Sequence, residues 1–236
     1  MKNFSVVFLT CLLAHMISCS LAFSQDFRSW EPADGIAVRQ GHHVEWFRSG
    51  AYRLDGELPG EAGITWSDCR NGDRGVFIQV MDAEGETKFP ENGLQVVDGD
   101  NRQEEPVIAA CSDGGWFVAW VEFRSDTLGN IYCTKVNAEG EMLWGEENIG
   151  LPIGSAPSVQ EAPVIVEDAD GGCIVAWRDH RHRGDAGDIY AMHVLSDGRI
   201  DPDWTENGVA VVSVPGAQVN HEAVSDGDGG MIISWK

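Results

Sequence analysis

The sequence predicts an all-β protein, a β-propeller-like array of four-stranded antiparallel blades, of which about three and a half are present as an incomplete ring. Three observations lead to this prediction. A unit of about 57 residues recurs along the chain, short apolar runs meet at glycine-rich turns, and no segment after the leader carries a 3.6-residue apolar stripe. A β-sandwich or a solenoid with the same repeats is the alternative architecture.

The repeat is clearest in the first half of the unit. The segment QEEPVIAACSDGGWFVAWVEFR, from Gln103, aligns with QEAPVIVEDADGGCIVAWRDHR, from Gln160. A third copy, NHEAVSDGDGGMIISWK, is aligned from Asn220, with one residue of its first strand missing. Tryptophan occupies the same slot in these copies and in the shorter match GITWSDCR, at Trp66, Trp120, Trp177 and Trp235. The chain is therefore built from a recurring structural unit.

Each unit predicts four strands in order. The first and second, such as PVIVED and CIVAW, are joined through Asp-Gly-Gly, and the third, DIYAMHVL, leads through Ser-Asp-Gly to a fourth near GVAVVSV. Several of these runs are apolar at successive positions, which predicts strands buried on both faces. Four short strands per unit, covered on both sides, are typical of propeller blades.

The strand pattern divides the chain into blades at 41–101, 102–159 and 160–218, followed by the first half of a fourth blade at 219–236. Residues 25–40 contain WEPADGIAV, an isolated copy of the fourth strand, which we expect to close the ring by completing the last blade. Rings usually have four to eight blades. We therefore expect the remaining blades in cis beyond residue 236, or a second chain that completes the arc.

Residues 1–24 have the layout of a signal peptide, in which Lys2 precedes an apolar run and small residues near a cleavage point. Cleavage after Ser24 fits best, cleavage after Ala22 is an alternative, and Cys19 in MISC offers a lipoprotein alternative. We therefore expect a secreted or cell-surface protein. No later segment reaches the 18 or more apolar residues of a transmembrane span.

The chain carries 16 basic and 38 acidic side chains, a net charge of −22. This acidity argues against nucleic acid or an anionic membrane as a partner. The cysteines beyond the leader match no CxxC or zinc-ligand spacing: Cys69, Cys111, Cys133 and Cys173. Each occupies a different position of the repeat, so we expect isolated buried thiols or one incidental bridge.

A second motif, Trp-x-acid-x-Arg, lies at the end of the second strand of each complete unit. It comprises Trp66, Asp68 and Arg70; Trp120, Glu122 and Arg124; and Trp177, Asp179 and Arg181. Alternate residues of a strand share a face, so the acid and the arginine project together. A set that recurs in every unit is interpreted as an ion pair that ties strand ends together, because catalytic groups are normally unique. No catalytic or cofactor-binding residue is assigned.

The Asp-Gly-Gly segments predict the hairpin bends between first and second strands, because glycine accepts the positive φ of a tight turn. They comprise Asp113, Gly114 and Gly115; Asp170, Gly171 and Gly172; and Asp228, Gly229 and Gly230. Asp168 and Asp170 are spaced like the start of a calcium loop, but the third acid and the flanking helices are missing. We therefore expect no cofactor, with calcium as a minor alternative. The histidines at 42–43 and 180–182 are interpreted as solvated loop residues, not metal ligands.

The unit resembles a repeat of secreted bacterial proteins of the form DGGxIVAWxDxRxG…DIYAxxxxxDGxxxW…NGV. The matching pieces are DGGCIVAWRDHR, GDIYAMHVLSDGR and WTENGVAV, and SDGRIDPDWTENGV is more weakly similar to the delta-60 type of bacterial repeat. The resemblance implies a propeller-like architecture in a larger secreted or surface protein. It implies no reaction, because neither group has a catalytic set that maps onto these residues.

Two functions remain open from the sequence. We expect an exported, non-enzymatic repeat module that binds a protein or carbohydrate ligand through blade loops. The alternative is a polysaccharide hydrolase of the sialidase or glycosidase kind, which needs a unique pair of carboxylates across the central opening. The charged loop RHRGDAGD, at 181–188, is a natural place for binding specificity, and Trp116 is expected to be buried.

Overall fold

The computed structural model describes residues 45–55, 58–97, 101–125, 127–182 and 187–236. All regular elements in these ranges are β-strands. The described ranges hold no helix long and apolar enough to cross a membrane. The all-β prediction is confirmed.

Fourteen strands follow one another in these described ranges. Sheet 1 contains β1 Glu45–Asp55, β2 Leu58–Asp68, β3 Gly75–Met81 and β4 Leu94–Val97. Sheet 2 contains β5 Gln103–Ala110, β6 Trp116–Glu122, β7 Asn130–Val136 and β8 Leu151–Gly154. Sheet 3 contains β9 Gln160–Glu167, β10 Cys173–Asp179, β11 Asp188–Val194 and β12 Val209–Val212. Sheet 4 contains β13 Glu222–Ser225 and β14 Met231–Ser234.

Within each sheet, every strand pairs antiparallel with the strand that precedes it in the chain. Antiparallel neighbours can be joined by a tight turn, as the Asp-Gly-Gly bends join the first and second strands of sheets 2 and 3. The first strands of successive sheets contact one another, β1 with β5, β5 with β9 and β9 with β13. The first strand is therefore the innermost of each sheet, and the sheets are blades of a propeller-like arc. The predicted fold class is confirmed.

The hydrophobic core lies between successive sheets. Ile78 and Val80 of sheet 1 pack with Trp116 and Trp120 of sheet 2. The next layer joins Phe117 of sheet 2 to residues of sheet 3, and a third layer joins sheet 3 to β13 and β14. Strands β6 and β7 are buried at every position; β6 is an apolar run up to Val121, whereas β7 also buries Asn130, Thr134 and Lys135. Burial of both faces of such a strand stabilises the arc, because it removes apolar surface from water.

The fourth unit has a different register from the sequence alignment. The same point of the first strand has a positive φ in three sheets, 52° at Glu105, 53° at Ala162 and 51° at Asn220. Two residues earlier lies a buried glutamine in each case: Gln103, Gln160 and Gln218. The fourth copy therefore begins at Gln218 and lacks no residue. The alignment from Asn220 was wrong because it compared side-chain types. The register of the first strand is instead set by the residue with a positive φ, which is Asn220 in the fourth copy.

The four cysteines among the described residues are free thiols, with Cys111, Cys133 and Cys173 buried and Cys69 half-buried. Burial raises the pKa of the Cys111 thiol to about 12, which makes this thiol unreactive at neutral pH. Trp116 is also buried, between sheets 1 and 2, as expected.

Candidate functional site

The Trp-x-acid-x-Arg motif forms the same cluster at one end of three sheets. The indole N–H donates to the acid two residues later, over 3.0 Å from Trp66 to Asp68 and 3.1 Å from Trp177 to Asp179. The Arg70 and Arg181 guanidinium groups pair with these same carboxylates. The i, i+2 spacing brings the indole and the acid to one face of the strand, as the alternation of a β-strand requires.

Each cluster also ties neighbouring strands together. Gln160 on β9 donates to Asp179 on β10 over 3.0 Å, and Arg181 donates to the Asn207 carbonyl over 2.7 Å, just before β12. Sheet 2 repeats the glutamine contact between Gln103 and Glu122. The cluster thus joins the first, second and fourth strands at one end of the sheet.

The indole rings pack against a glycine that precedes the fourth strand. Gly208 has a φ of +89°, and a Cβ there would lie 2.7 Å from Cη2 of Trp177. Gly93 has a φ of +87°, and a Cβ there would lie 2.5 Å from Cη2 of Trp66. Glycine is needed at these positions for both conformation and space.

The indole, carboxylate and guanidinium groups of these clusters hydrogen-bond to one another within the sheet. Burial raises the pKa of Asp179, but hydrogen bonds from Arg181, Ser158 and Trp177 outweigh it and leave the pKa below its usual value. Asp68 has its pKa lowered in the same way by Arg70 and Trp66. Both carboxylates are therefore ionised and fully engaged, as ties between strand ends would be.

The Asp-Gly-Gly segments lie at the opposite end of the sheets, between first and second strands. The φ values are +103° at Gly114, +84° at Gly171 and +83° at Gly229. The aspartate that caps the turn is the earlier one in sheets 3 and 4, where Asp168 and Asp226 accept hydrogen bonds from the last glycine over 2.8 Å. In sheet 2, Cys111 replaces that residue.

Asp113 caps the sheet 2 turn instead, accepting a hydrogen bond from Gly115 N–H over 3.1 Å. In sheet 3, both carboxylate oxygens of Asp168 are engaged, Oδ1 by the N–H groups of Asp170 and Gly172 and Oδ2 by His193. No group of three or more histidine, cysteine or acidic side chains is arranged for a metal within the described residues. His180, which the sequence placed in a solvated loop, instead contacts Glu161 through Nε2 at 2.7 Å.

An open concavity of about 560 Å³ lies at this end of the arc, where the first strands of all four sheets converge. Its apolar surface includes Ile108 and Ala109 of β5 and Ile165 and Val166 of β9. Its polar side chains are Tyr52, Arg53, Ser112, Glu167 and Ser225. The volume lies within the range of about 300–1,000 Å³ found for small-ligand sites.

Arg53, on β1, joins the β1–β2 hairpin of sheet 1 to the β5–β6 hairpin of sheet 2. Its Nη1 donates to the carbonyls of Cys111 and Gly115, each over 3.1 Å, and the guanidinium also pairs with Glu61. These bonds hold the neighbouring Tyr52 at the rim, where its side chain is 73% exposed. An exposed aromatic ring at a concavity is a ready stacking surface.

Glu167, at the end of β9 in sheet 3, bonds to the β5–β6 hairpin of sheet 2. Its Oε1 accepts hydrogen bonds from Ser112 N–H over 2.7 Å and from the Ser112 hydroxyl over 2.6 Å. Cys111 Sγ lies 3.5 Å from the same oxygen. The described hydrogen bonds of Glu167 do not use Oε2.

The repeat position of Glu167 carries Ala110 in sheet 2 and Ser225 in sheet 4, and all three residues line the concavity. The fold therefore presents one position to the same space three times with three different side chains. Glu167 was not predicted from the sequence, because no motif surrounds it. The differences between copies at this position were its only signal.

Several predictions fall on residues outside the described ranges. They are the signal peptide at 1–24 with Cys19, the closing strand at 25–40, the histidines at 42–43, and residues 183–186 of the charged loop. The described blade sheets begin at Glu45 and continue to Ser234.

Comparison with known proteins gives no family. No family model and no curated protein sequence matches the chain. Among solved structures, an endo-arabinase from Bacteroides thetaiotaomicron is 17% identical with a TM-score of 0.46, covering 76% of this chain and 67% of that one. An alpha-L-arabinanase from Penicillium chrysogenum is 13% identical with a TM-score of 0.47, covering 80% of this chain and 58% of that one.

A family 117 glycoside hydrolase from the marine bacterium Zobellia galactanivorans is 10% identical with a TM-score of 0.49, covering 85% of this chain and 72% of that one. The chain thus spans little more than half the length of the Penicillium enzyme. At these identities the similarity concerns the fold alone, and the fold described above rests on the strand order of this chain.

Proposed function

We propose that the protein is an exported binding module that holds a saccharide in the concavity at the inner strands. One observation carries the proposal. The repeated polar clusters bond to themselves, whereas Tyr52, Ser112 and Glu167 do not recur in the other units and surround the open space. Side chains that differ between repeats on a shared scaffold are the ones free to serve recognition.

The mixture of groups favours a saccharide. A sugar ring has an apolar C–H face, which packs on an aromatic ring such as Tyr52, and a rim of hydroxyls, which bond to carboxylates and hydroxyls such as Glu167 and Ser112. A folded protein partner needs about 800 Å² of surface on each side for a stable interface. The concavity is better matched to a few sugar units.

Export is part of the proposal because residues 1–24 have a signal-peptide layout. The absence of a second carboxylate at the concavity, within the described residues that line it, is the reason that binding is proposed ahead of hydrolysis. A glycosidase places two carboxyl groups about 5–9.5 Å apart across the scissile bond.

The test is a screen of neutral oligosaccharides by glycan array, followed by calorimetry on the best ligand. We expect Tyr52→Ala and Glu167→Gln each to weaken binding about tenfold or more, which corresponds to about 1.4 kcal/mol. Tyr52→Phe keeps the ring and should bind like the parent chain. Glu141→Gln, an exposed carboxylate outside the concavity, is the matched control for Glu167→Gln.

Unchanged affinity in both concavity variants would contradict the proposal. Release of reducing sugar ends by the parent chain, abolished in Glu167→Gln with binding retained, would establish the hydrolase alternative instead. Unchanged thermal unfolding of the variants shows that the fold is preserved.

A further inference from the structure

The sequence contains three Asn-Gly pairs, and the structure places them in different surroundings. They are Asn71 with Gly72, Asn92 with Gly93, and Asn207 with Gly208. An asparagine that precedes glycine can react with its own backbone, because no Cβ on the glycine hinders the approach of the glycine nitrogen to the side-chain carbonyl carbon. The two atoms must come within roughly 3–3.5 Å, so the local backbone decides which pair reacts.

The pair of Asn207 and Gly208, just before β12, is held in its turn. Asn207 has a positive φ of 60°, and the Gly208 N–H donates to the Thr205 carbonyl over 3.0 Å. Asn207 Oδ1 accepts the Ser155 N–H over 2.8 Å, and the Asn207 carbonyl accepts a hydrogen bond from Arg181 over 2.7 Å. A movement of the Gly208 nitrogen toward the Asn207 side chain would break these bonds.

The pair of Asn92 and Gly93, just before β4, is held in the same way. The φ of Asn92 is 71°, and the Gly93 N–H donates to the Pro90 carbonyl over 2.9 Å. The Asn92 carbonyl accepts a hydrogen bond from Arg70 over 2.5 Å, and Gly93 packs against the Trp66 indole. Hydrogen bonds and packing therefore fix both turns that precede a fourth strand.

Asn71 and Gly72 lie instead in the exposed turn between β2 and β3. The Gly72 N–H makes a longer hydrogen bond, 3.3 Å to the Cys69 carbonyl, and no atom lies within 4 Å of the place that a Cβ on Gly72 would take. Asn71 Nδ2 donates to Gln95 Oε1 over 2.6 Å, an exposed bond that engages the amide nitrogen and not the carbonyl carbon. This turn can therefore rearrange without loss of packing.

We propose that Asn71 is a site of spontaneous deamidation, whereas the fold protects Asn92 and Asn207. The Gly72 nitrogen loses its proton to solvent and forms a bond to Asn71 Cγ. The bond from Cγ to Nδ2 breaks, and ammonia leaves with a proton taken from solvent. Water then opens the cyclic succinimide, which gives aspartate by attack at Cγ or isoaspartate by attack at the backbone carbonyl. The net reaction consumes water and releases ammonia, and it involves no oxidation or reduction.

Both products carry a carboxylate where the amide stood, so the chain gains one negative charge in this turn. The hydrogen bond from Asn71 to Gln95 is lost, but it is exposed, and surface changes of this kind have little effect on stability. Isoaspartate also lengthens the backbone, which the open space around Gly72 accommodates. The acidic form therefore accumulates as folded protein, in proportion to the age of the sample.

Peptide mapping by mass spectrometry tests the proposal on the full chain, incubated in the folded state at mildly alkaline pH. We expect aspartate and isoaspartate at residue 71 to form at least about tenfold faster than at residues 92 and 207. The same incubation in guanidinium chloride should make the three rates similar, because each pair then has the freedom of an unfolded chain.

Two outcomes of this mapping would overturn the proposal. One is a folded chain in which residue 92 or 207 reacts as fast as residue 71. The other is a folded chain in which Asn71 stays intact although all three residues react in the denaturant.

A variant links the reaction to the charge of the protein. Asn71→Ser should remove the more acidic form that ion-exchange chromatography separates from the incubated parent chain. Asn101→Ser, at an asparagine followed by Arg102, is the matched control and should leave that form unchanged. Thermal unfolding shows that both variants are folded. An acidic form that persists in Asn71→Ser at the parent level would contradict the assignment to this residue.

Discussion

The two ends of each sheet differ in how their polar residues are used. At one end, Trp177, Asp179 and Arg181 recur in the other complete units and bond to one another. At the other end, the position of Glu167 changes from sheet to sheet and faces an open concavity. The repeated end holds the blade together, and the variable end carries the binding site that we propose. Internal repetition thus separates scaffold from site within one chain.

The largest effect should follow loss of the repeated tryptophan. Trp177→Ala removes a fully buried ring and should lower the free energy of unfolding by about 3–5 kcal/mol. Tyr52→Ala, at the concavity, should leave it unchanged, because that ring is mostly exposed. Urea denaturation measures the free energy of unfolding of both variants. Equal losses in the two variants would contradict the division between the ends.

A smaller loss should follow removal of the repeated acid. Asp179→Ala leaves Arg181, Gln160 and the Trp177 indole without their acceptor. We expect a loss of about 2–3 kcal/mol, less than for a fully buried pair because Arg181 keeps some water. Asp197→Ala, which breaks an exposed pair with Arg199, is the control and should have no measurable effect.

The repeated acids should also govern stability in acid. The pKa of Asp179 is lowered in the folded state from its ordinary value of 3.8. Its contribution is therefore fully present above that value and is lost as the pH falls through the lower, folded value. We expect the free energy of unfolding to decline below about pH 4, with a shallower decline in Asp179→Asn. Parallel curves for the two chains would exclude this role.

A weaker pH effect should arise where sheet 4 meets sheet 3. Burial lowers the pKa of His221 from its ordinary value of 6.5, with Arg178 nearby adding to the shift and the Ala162 backbone and Glu161 opposing it. The neutral ring is the favoured folded form, so stability is full above 6.5 and declines as the pH falls toward the folded value.

His221→Pro introduces the residue that sheets 2 and 3 carry at this position, Pro106 and Pro163. This variant should remove the decline that begins below pH 6.5 and leave the decline caused by the repeated acids unchanged. Thermal unfolding as a function of pH measures the difference. Persistence of the decline would assign it to another group.

The smallest effect should come from a turn glycine. Gly114 has a φ of +103° with open space around it, so Gly114→Ala costs only the backbone strain, about 1 kcal/mol. Gly208→Ala adds a clash with Trp177 to the same strain and should cost more. Urea midpoints compare the two variants. A larger loss at Gly114 would show that this turn is packed more tightly than the structure indicates.

The fold followed from the sequence because its signals are local and repeated. The apolar runs predict β6 and β10, the Asp-Gly-Gly segments predict the bends, and the i, i+2 spacing of Trp177 and Asp179 predicts a shared face. The concavity could not be predicted from the sequence. Glu167 and Arg53 meet Ser112 and Cys111 across 55 and 58 residues of chain, and no periodicity encodes such contacts.

The sequence by itself determined that the chain is all-β and that strands and turns recur in each unit, because strand alternation and turn conformation depend on near neighbours. The tertiary structure decided which strand faces the centre, and therefore that Ala110, Glu167 and Ser225 share one space. It also decided that the fourth copy begins at Gln218, since a positive φ at Asn220 fixes the register that side-chain similarity had shifted. Packing between sheets sets these relations, and packing depends on all the blades together.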